Sequence, residues 1–410
     1  MHAGDTAWVL VSAALVLFMT PGLALFYGGM VRSKNVLSVM AQSFFVMGIV
    51  TVLWVVVGFS LAFSRDAGGG LIGNLGFLGL KGLGHGLPGY SHLLVSPEAV
   101  MIFQMMFAII TAALIIGGAA DRMRFQGFAA FITLWLLFVY SPIAHWVFSP
   151  VGWLAHLGVL DFAGGTVVEI NSGFSTLALV LVLGRRQGWP RERMPPHSIP
   201  LSVIGAGILW FGLFGFNAGS ALAANETAVH AFVNTQLAAA AGLLGWMIFE
   251  GVNEHVTTAL GAVSGAVAGM VAITPCAGYV GPMPALLIGG LAGFFCVLAV
   301  RLKFRYRYDD SLDVLAIHGV GGLIGMVLLG CFAERSVNAA GSNGLFFGGG
   351  GRLFSLELLA AGVTVGYSFI VTYGIAKVVD RFIGLRVSPE DESRGLDLSH
   401  HGESAYTSNA

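Results

Sequence analysis

Residues 99–120 read AVMIFQMMFAIITAALIIGGAA, a run of 22 residues without one charged side chain. A helix needs about 20 apolar residues to cross the hydrocarbon core of a bilayer, so this run is long enough to span a membrane. The whole chain of 410 residues has the same character, with 56% hydrophobic and only 10% charged residues. Soluble domains average about 25% charged residues. The composition therefore excludes an ordinary soluble protein and predicts an all-α polytopic membrane protein.

Ten further runs of similar length give eleven predicted transmembrane helices in total. Their predicted bounds are 8–30, 36–63, 99–120, 126–148, 162–184, 199–220, 228–249, 256–275, 283–300, 314–331 and 355–378. The two long connections 64–98 and 332–354 are rich in glycine, which is typical of flexible connectors. No soluble catalytic domain is predicted between the spans.

Lysine and arginine are distributed unevenly between the connections. Sixteen of the 20 follow spans one, three, five, nine and eleven, and four lie in the alternate connections. Because cytoplasmic loops carry the excess of positive charge, the amino terminus is predicted outside and the carboxyl terminus inside. The chain then divides into a transmembrane domain, 1–386, and a cytoplasmic carboxyl-terminal tail, 387–410. The net charge of −1 gives no field that would attract nucleic acid.

Two ionisable residues interrupt the apolar spans. Glu169 lies in the fifth span and His318 in the tenth, each eight residues after an aspartate, Asp161 and Asp310. Ionisable groups within a bilayer cost about 2.5 kcal/mol or more, so both are candidate functional residues. The fifth and tenth spans enter from opposite sides. Spans one to five and six to ten are therefore predicted to form an inverted repeat, followed by a final helix, with Glu169 and His318 meeting near the midplane.

Each of these polar residues also has a structural interpretation. Glu169 and His318 would, in the simplest one, only tie two helices together, although Ser or Asn would do this at lower cost. Asp161 opens a span and is followed closely by two glycines, which is typical of a helix N-cap. A capping role and a role with the substrate are compatible, so both interpretations of Asp161 stay open.

Aromatic residues near the outer ends of two spans add a possible gate. The relevant side chains lie four residues apart, hence on one helix face, as Phe103 with Phe107 and Phe216 with Ser220. Phenylalanines at this spacing more often serve packing alone. Small residues in 264–269 and 321–325 are expected to permit close helix contact.

Six blocks of sequence, in order along nearly the whole chain, resemble the Amt/Mep/Rh ammonium transporter family. They are 103–107 (FQMMF), 161–168 (DFAGGTVV), 216–220 (FNAGS), 264–275 (SGAVAGMVAITP), 310–322 (DSLDVLAIHGVGG) and 395–403 (GLDLSHHGE). The resemblance implies an eleven-helix fold, a homotrimer with one pore in each subunit, and transport of ammonium or ammonia, with methylammonium as an analogue. It also implies that the tail and cytoplasmic loops receive a PII regulatory protein of the GlnK type.

The resemblance also assigns roles to individual residues. The outer ammonium-recruitment site would comprise Phe107, Phe148, Ser220 and, as its support, Asp161; the gate would be Phe107 with Phe216; the pore pair would be Glu169 with His318; and the pore lining or support would be Phe103, Gln104, Asp310, Asp313, Ser264 and Thr274. Two positions depart from the commonest pattern of the family. Glu169 stands where most members have the first of two pore histidines, as in some fungal and bacterial members, and Phe148 stands where a Trp is usual.

These residues predict an ammonium transporter of the cell membrane. Ammonium is expected to lose its proton below the outer site, ammonia to pass a hydrophobic pore, and the Glu169–His318 pair to carry the proton separately, so that transport is electrogenic. Two alternatives remain: an ammonium sensor or transceptor that signals to a cytoplasmic partner, and a passive channel for neutral gas. We expect no enzymatic activity, no cofactor and no metal site.

Overall fold

The computed structural model describes residues 1–406, so the last four residues of the predicted tail, 407–410, lie outside the described part of the chain. Within residues 1–406 the structure has no β-strand and only two isolated β-bridges, between Asp66 and Gly73 and between Met123 and Arg386. Eleven long helices make up the described bundle: α1 Ala3–Met30, α2 Ser33–Phe63, α3 Pro97–Ala119, α4 Phe125–Val147, α5 Gly165–Leu183, α6 Ile199–Gly219, α7 Glu226–Asn253, α8 Ala259–Ile273, α9 Pro282–Tyr306, α10 Leu315–Phe332 and α11 Gly351–Phe382.

Ten of these helices, within the described residues, are long and apolar enough to cross a membrane. They coincide with ten of the eleven predicted spans, so the prediction of an all-helical polytopic membrane protein is confirmed at this level. The exception is α8, which has 15 helical residues where a span over 256–275 was predicted. A helix of that length rises only about 22 Å.

Several helices begin where a side chain satisfies a free backbone N–H group of the first turn. The hydroxyl of Ser96 accepts the N–H of Ala99 at the start of α3, and Thr258 accepts the N–H of Gly261 at the start of α8. A proline in the first turn, as in α3, fits because it lacks the N–H that would stay unpaired there.

Small residues let α7, α8 and α9 pack closely. A Cβ added to Gly269 of α8 would lie 2.1 Å from the carbonyl oxygen of Ala238 in α7, and one added to Gly293 of α9 would lie 2.0 Å from that of Gly242. Only glycine allows backbones to approach to this distance. The predicted use of small residues in 264–269 for helix packing is therefore confirmed for Gly269.

One end of the bundle, which we call the loop end, collects the connections that contain few basic residues: the amino terminus, 64–96, 148–164, 220–225, 274–281 and 333–350. Backbone hydrogen bonds join them to each other. His2 N–H donates to Leu94 O at 2.8 Å, and Glu334 N–H donates to Tyr279 O at 2.8 Å. The connection 64–98 also bonds to the last turn of α4 and to the segment after it, so it is folded against its neighbours instead of forming the loose connector that its glycine content suggested.

The opposite end, which we call the basic end, is built around Arg122, which is completely buried. Its guanidinium group donates to Gly184 O at 2.9 Å and to Ser311 Oγ at 2.7 Å. Arg186 forms a bidentate pair with Asp309, with Nε–Oδ2 at 3.0 Å and Nη2–Oδ1 at 2.8 Å. These bonds hold the connections after α3, α5 and α9 together.

The segment after α11 crosses the basic end. Val387 N–H donates to Arg122 O at 3.1 Å, and Glu392 accepts the N–H of Gln187 at 2.7 Å. Asp397 accepts the N–H groups of Leu37 and Ser38 at 3.1 and 2.9 Å, so it caps the first α-helical turn of α2. The described part of the tail, 387–406, is therefore attached along its length to the ends of the transmembrane helices.

Candidate functional site

Asp161 organises the start of α5. Its Oδ1 accepts the N–H groups of Gly164 and Gly165 at 2.8 and 2.7 Å, and its Oδ2 accepts the N–H and hydroxyl of Thr166 at 2.8 and 2.5 Å. Four donors thus converge on one carboxylate, which accepts hydrogen bonds from the free N–H groups at the start of the helix. The capping interpretation of Asp161 agrees with this geometry.

Asp310 stands in the same relation to α10. Its Oδ2 accepts the N–H of Leu315, five residues on, at 2.8 Å, just as Asp161 accepts that of Thr166. Each helix then opens with a π-helical turn, Gly165–Ile170 in α5 and Leu315–Val320 in α10. Such turns are rare and occur frequently at functional sites. Sequence reasoning found the equal spacing of the aspartates but had no signal for the π-helical turns.

Those two turns carry Glu169 and His318, and the structure brings the two side chains into contact. Glu169 Oε2 lies 2.7 Å from His318 Nδ1, a hydrogen-bonding distance. Glu169 is 4% exposed and His318 8% exposed. Within the described chain, no other side chain forms a hydrogen bond with either group.

Glycines make this contact possible because they let α5 and α10 cross closely. A Cβ on Gly173 would lie 2.3 Å from Gly319 Cα, and one on Gly322 would lie 2.9 Å from the Cβ of Glu169. Any larger residue at Gly173 would force the helices apart. Gly322 was predicted as a packing residue, whereas Gly173 was missed because nothing distinguishes it from the chain's other 58 glycines.

A narrow cavity lies between this pair and the aromatic rings nearer the loop end. In this cavity the centres of water-sized molecules can occupy a volume of about 30 Å³, which is room for roughly one or two waters. Apart from Glu169 and His318 the walls are apolar, formed by Met19, Leu23, Phe26, Ile110, Leu114, Val168, Leu209, Leu213, Phe216, Val267 and Val271. Sequence reasoning named Phe216, as part of the gate, but missed the other apolar wall residues, because every face of a membrane helix is apolar and the hydrophobic pattern does not distinguish a cavity wall from a lipid-facing surface.

Two stacked rings lie on the loop-end side of the cavity, and one of them, Phe216, lines it. Phe107 and Phe216 lie with ring centroids 4.1 Å apart and planes 21° apart, and neither is more than 1% exposed. Phe148 meets Phe107 edge to face, with centroids 6.0 Å apart and planes at 84°. Ser220 lies one helical turn beyond Phe216 and donates its hydroxyl to Phe216 O at 2.8 Å.

The remaining predicted residues lie away from the cavity wall. Phe103 contacts Phe107 with ring centroids 4.9 Å apart, so it supports the stacked rings, and Gln104 is buried beside it in α3. Thr274, the C-cap residue directly after α8, donates its hydroxyl to Met270 O of that helix. The buried Ser264 does not line the cavity. Asp313 pairs with Lys303 at 2.5 Å near Asp310, at the basic end.

The described residues hold no group of three or more His, Cys, Asp or Glu side chains arranged to bind a metal ion. The three cysteines are buried and unpaired, and Cys276 points its thiol at Gly325 O.

Comparison with known proteins places these features in one family. A family model described as "Ammonium Transporter Family" matches residues 7–406. The ammonium transporter of Bacillus subtilis is 48% identical over 407 residues, which cover 99% of both chains. The ammonium transporter Amt1 of Archaeoglobus fulgidus is 46% identical over 408 residues, 99% of this chain and 100% of that one.

Solved structures agree with these relatives. Mep2 of Saccharomyces cerevisiae has a TM-score of 0.89 at 36% identity, over 95% of this chain and 88% of that one. A protein described as "Sensor Amt Protein" has a TM-score of 0.88 at 29% identity, over 97% and 98% of the two chains. The match extends over nearly the whole bundle, so this multi-pass protein of the cell membrane belongs to the ammonium transporter family.

Proposed function

We propose that this protein transports ammonium across the cell membrane, by stripping its proton and passing ammonia and the proton along separate routes. The observation that carries this proposal is the direct contact of Glu169 with His318 at the wall of a small apolar cavity. A carboxylate and an imidazole exchange protons at accessible pH. The cavity admits a molecule as small as ammonia and offers a charged ion almost no hydration.

The outer site is suited to recognising ammonium before it loses its proton. Because the Ser220 hydroxyl donates its hydrogen to Phe216 O, its oxygen lone pairs can accept an N–H of the substrate. Phe107 and Phe148 present aromatic rings, which attract a cation, though Phe does so less strongly than Trp. Asp161 already accepts four hydrogen bonds, so its part is to hold the start of α5 and to add negative potential.

Selectivity against potassium follows from the same elements. Potassium matches ammonium in charge and in approximate size, but it neither donates hydrogen bonds nor releases a proton. Transfer of a bare ion into an apolar passage is very costly, whereas neutral ammonia pays no comparable penalty. With Glu169 and His318 passing the proton, one positive charge moves for each ammonia, and transport is electrogenic.

The membrane topology that we propose has eleven spans, arranged as two inverted repeats of five and a final helix. The matching Asp161 and Asp310 caps and the paired π-helical turns support the repeat. We take the short α8 as the eighth span, because it runs from the basic end to the loop end. It begins close to Glu254, which pairs with Arg301 at the basic end. It ends close to Pro275, whose carbonyl oxygen accepts the Phe162 N–H at the loop end. The basic end then faces the cytoplasm, with the amino terminus outside.

The functional unit that we propose is a homotrimer with a pore in each subunit. Large apolar side chains are exposed on α6, α7 and α9, including Phe211, Val229, Ile248, Val252 and Met283, and they require lipid or another subunit beside them. Residues 1–386 form the transport domain. Residues 387–410 form a cytoplasmic tail to which a PII protein of the GlnK type binds, together with the 185–198 loop.

The second candidate function is sensing, since one similar structure is described as "Sensor Amt Protein". The attachment of the tail to the ends of α2, α3 and α5 favours this reading as an addition to transport, because a signal from the pore has a physical route to the tail. Passive conduction of gas is less well supported, since a channel for a neutral molecule does not require the buried carboxylate of Glu169.

Electrophysiology on proteoliposomes tests the proposal. Addition of ammonium or methylammonium is expected to give a saturable current, and potassium is expected to give none. Absence of an ammonium current together with rapid uptake of ammonia would contradict the proton route and favour a gas channel. For sensing, deletion of 387–410 is expected to abolish PII binding; retention of binding after the deletion would exclude the tail as the docking segment.

A further inference from the structure

The segment 64–96 at the loop end folds onto one short stretch of the chain, residues 145–153. Asp66 Oδ1 lies 3.5 Å from His145 Nε2. The Trp146 indole donates to the carbonyl oxygen of Leu71 at 2.7 Å. We call residues 64–96 the external cap, and each of these contacts ends within a few residues of Phe148.

Two further contacts of the external cap continue this pattern. The backbone N–H of Trp153 donates to Gly70 O at 3.1 Å. Gly89 packs so closely on Pro150 that an added Cβ would lie 2.4 Å from the proline Cβ. The external cap therefore contacts the segment 145–153 both before Phe148, at His145 and Trp146, and after it, at Pro150 and Trp153.

Tyr90 makes the contact that falls on Phe148 itself. Its hydroxyl donates to Phe148 O at 2.5 Å. Phe148 is the C-cap residue directly after α4, and the last carbonyl groups of a helix have no partner within it. The external cap supplies that partner from a position 58 residues earlier in the chain.

The position of the Phe148 backbone decides where its ring lies. The ring meets Phe107 edge to face at 6.0 Å between centroids. Its tip lies over Gly164, where an added Cβ would be 3.3 Å from Phe148 Cζ. Gly164 in turn donates its N–H to Asp161. Movement of the Phe148 main chain therefore changes the distance of its ring from Phe107 and from the Gly164 turn that Asp161 caps.

We propose that Tyr90 is a positioning residue of the outer ammonium site, and that its hydroxyl sets substrate affinity by fixing Phe148. This inference rests on the proposed function of Phe148 in recruitment. Among the described residues, Tyr90 does not line the cavity, and its ring pairs with Phe63 and His92 instead of the stacked rings. It therefore acts on the capture of ammonium and not on passage through the pore. The external cap is then a determinant of affinity.

A double-mutant cycle on the full-length protein in proteoliposomes tests the proposal. Tyr90→Phe removes one hydroxyl and keeps the ring. It is expected to raise the KM for ammonium current roughly three- to tenfold, the usual effect of losing one hydrogen bond, with the maximal current unchanged. Phe148→Ala is also expected to raise KM. In the Phe148→Ala background, Tyr90→Phe is expected to have no further effect, because the ring that it positions is gone.

Tyr367→Phe is the matched control. Tyr367 also donates its hydroxyl to a backbone carbonyl, that of Phe138 at 2.8 Å, and this variant is expected to keep the wild-type KM. A wild-type KM in Tyr90→Phe, a fall in its maximal current at constant KM, or an equal further rise of KM in the Phe148→Ala background would overturn the inference. These results leave the proposed function intact, because that function is tested separately by the ammonium current of the wild-type protein and of the Glu169 variants.

Discussion

At the scale of single residues, the transport chemistry that we propose depends on one hydrogen-bonded pair. Glu169 and His318 come from two different helices, are almost completely buried, and meet at 2.7 Å beside the cavity. A pair that only tied α5 to α10 would keep this role as long as both side chains could hydrogen bond. A pair that carries protons needs two groups that titrate. Substitution can separate the two interpretations.

Glu169→Gln keeps the size and an acceptor oxygen but removes the titrating group. We expect the ammonium current to fall by at least tenfold while thermal stability stays close to that of wild type, because general acid–base groups contribute roughly 10²- to 10⁴-fold. Glu169→His is expected to restore current with a different pH profile. Currents measured between pH 5 and 8 check both variants.

The control for this prediction is Glu254→Gln, which changes an exposed glutamate at the basic end. It is expected to leave the current unchanged. A Glu169→Gln protein with full current and the wild-type pH profile would reduce the pair to a structural tie.

At the scale of helices, the site depends on how closely α5 and α10 cross. Gly173 faces Gly319 at the crossing, one turn after Glu169. The opening turns of both helices are π-helical, which rotates the side chains that follow relative to a regular helix. The separation of the two functional groups is therefore a property of the helix pair as much as of the groups themselves.

Gly173→Ala adds one methyl group at this crossing. Its Cβ would lie 2.3 Å from Gly319 Cα, so α5 and α10 have to separate. We expect a loss of roughly 1 to 3 kcal/mol in stability, as for other overpacked sites, together with a loss of current. Thermal unfolding followed by size-exclusion chromatography, with current recorded on the same preparations, checks this.

Gly366→Ala is the comparison, since a Cβ at Gly366 of α11 meets no atom within 4 Å. It is expected to keep both stability and current. Equal behaviour of the two variants would show that the close crossing does not limit the site.

The sequence was sufficient to predict which helices carry the site, but not the details of how those helices pack. The equal spacing of Asp161 to Glu169 and of Asp310 to His318 was sufficient to predict that the two groups meet, because topology and helical rise determine it. The π-helical turns and the importance of Gly173 depend on tertiary packing and leave no local pattern. The connection 64–98 was read as loose because glycine also marks positions where backbones pack closely, and composition does not distinguish these two uses.

At the scale of the whole molecule, ion pairs at the basic end join connections that are far apart in sequence. Burial by itself raises the pKa of Asp309, but hydrogen bonds from Arg186 and the charges of Arg122 and Arg186 outweigh it. The pKa of Asp309 therefore lies below its usual value of 3.8. A carboxyl group whose pKa is lower in the folded protein stabilises it at all pH above the unfolded value, and this contribution disappears as the pH falls through the folded pKa.

Asp309→Asn tests this arrangement. Loss of one partner from a buried ion pair costs roughly 3 to 5 kcal/mol, so we expect a large fall in unfolding temperature at neutral pH. The difference from wild type is expected to stay constant from pH 8 to pH 5 and to shrink only below about pH 4, where wild-type Asp309 itself becomes protonated. A difference that already disappears near pH 6 would show that another group governs the pH dependence.

The small cavity has a consequence for transport along the route that we propose. Since this narrow cavity has room for only one or two small molecules, molecules that arrive from opposite faces have no space to pass each other. Each passage must empty the chamber before the next begins, so isotope exchange at equal concentrations on both sides will be slower than net flux suggests. Filling one side with unlabelled substrate will delay the exit of a nitrogen-15 tracer from the other.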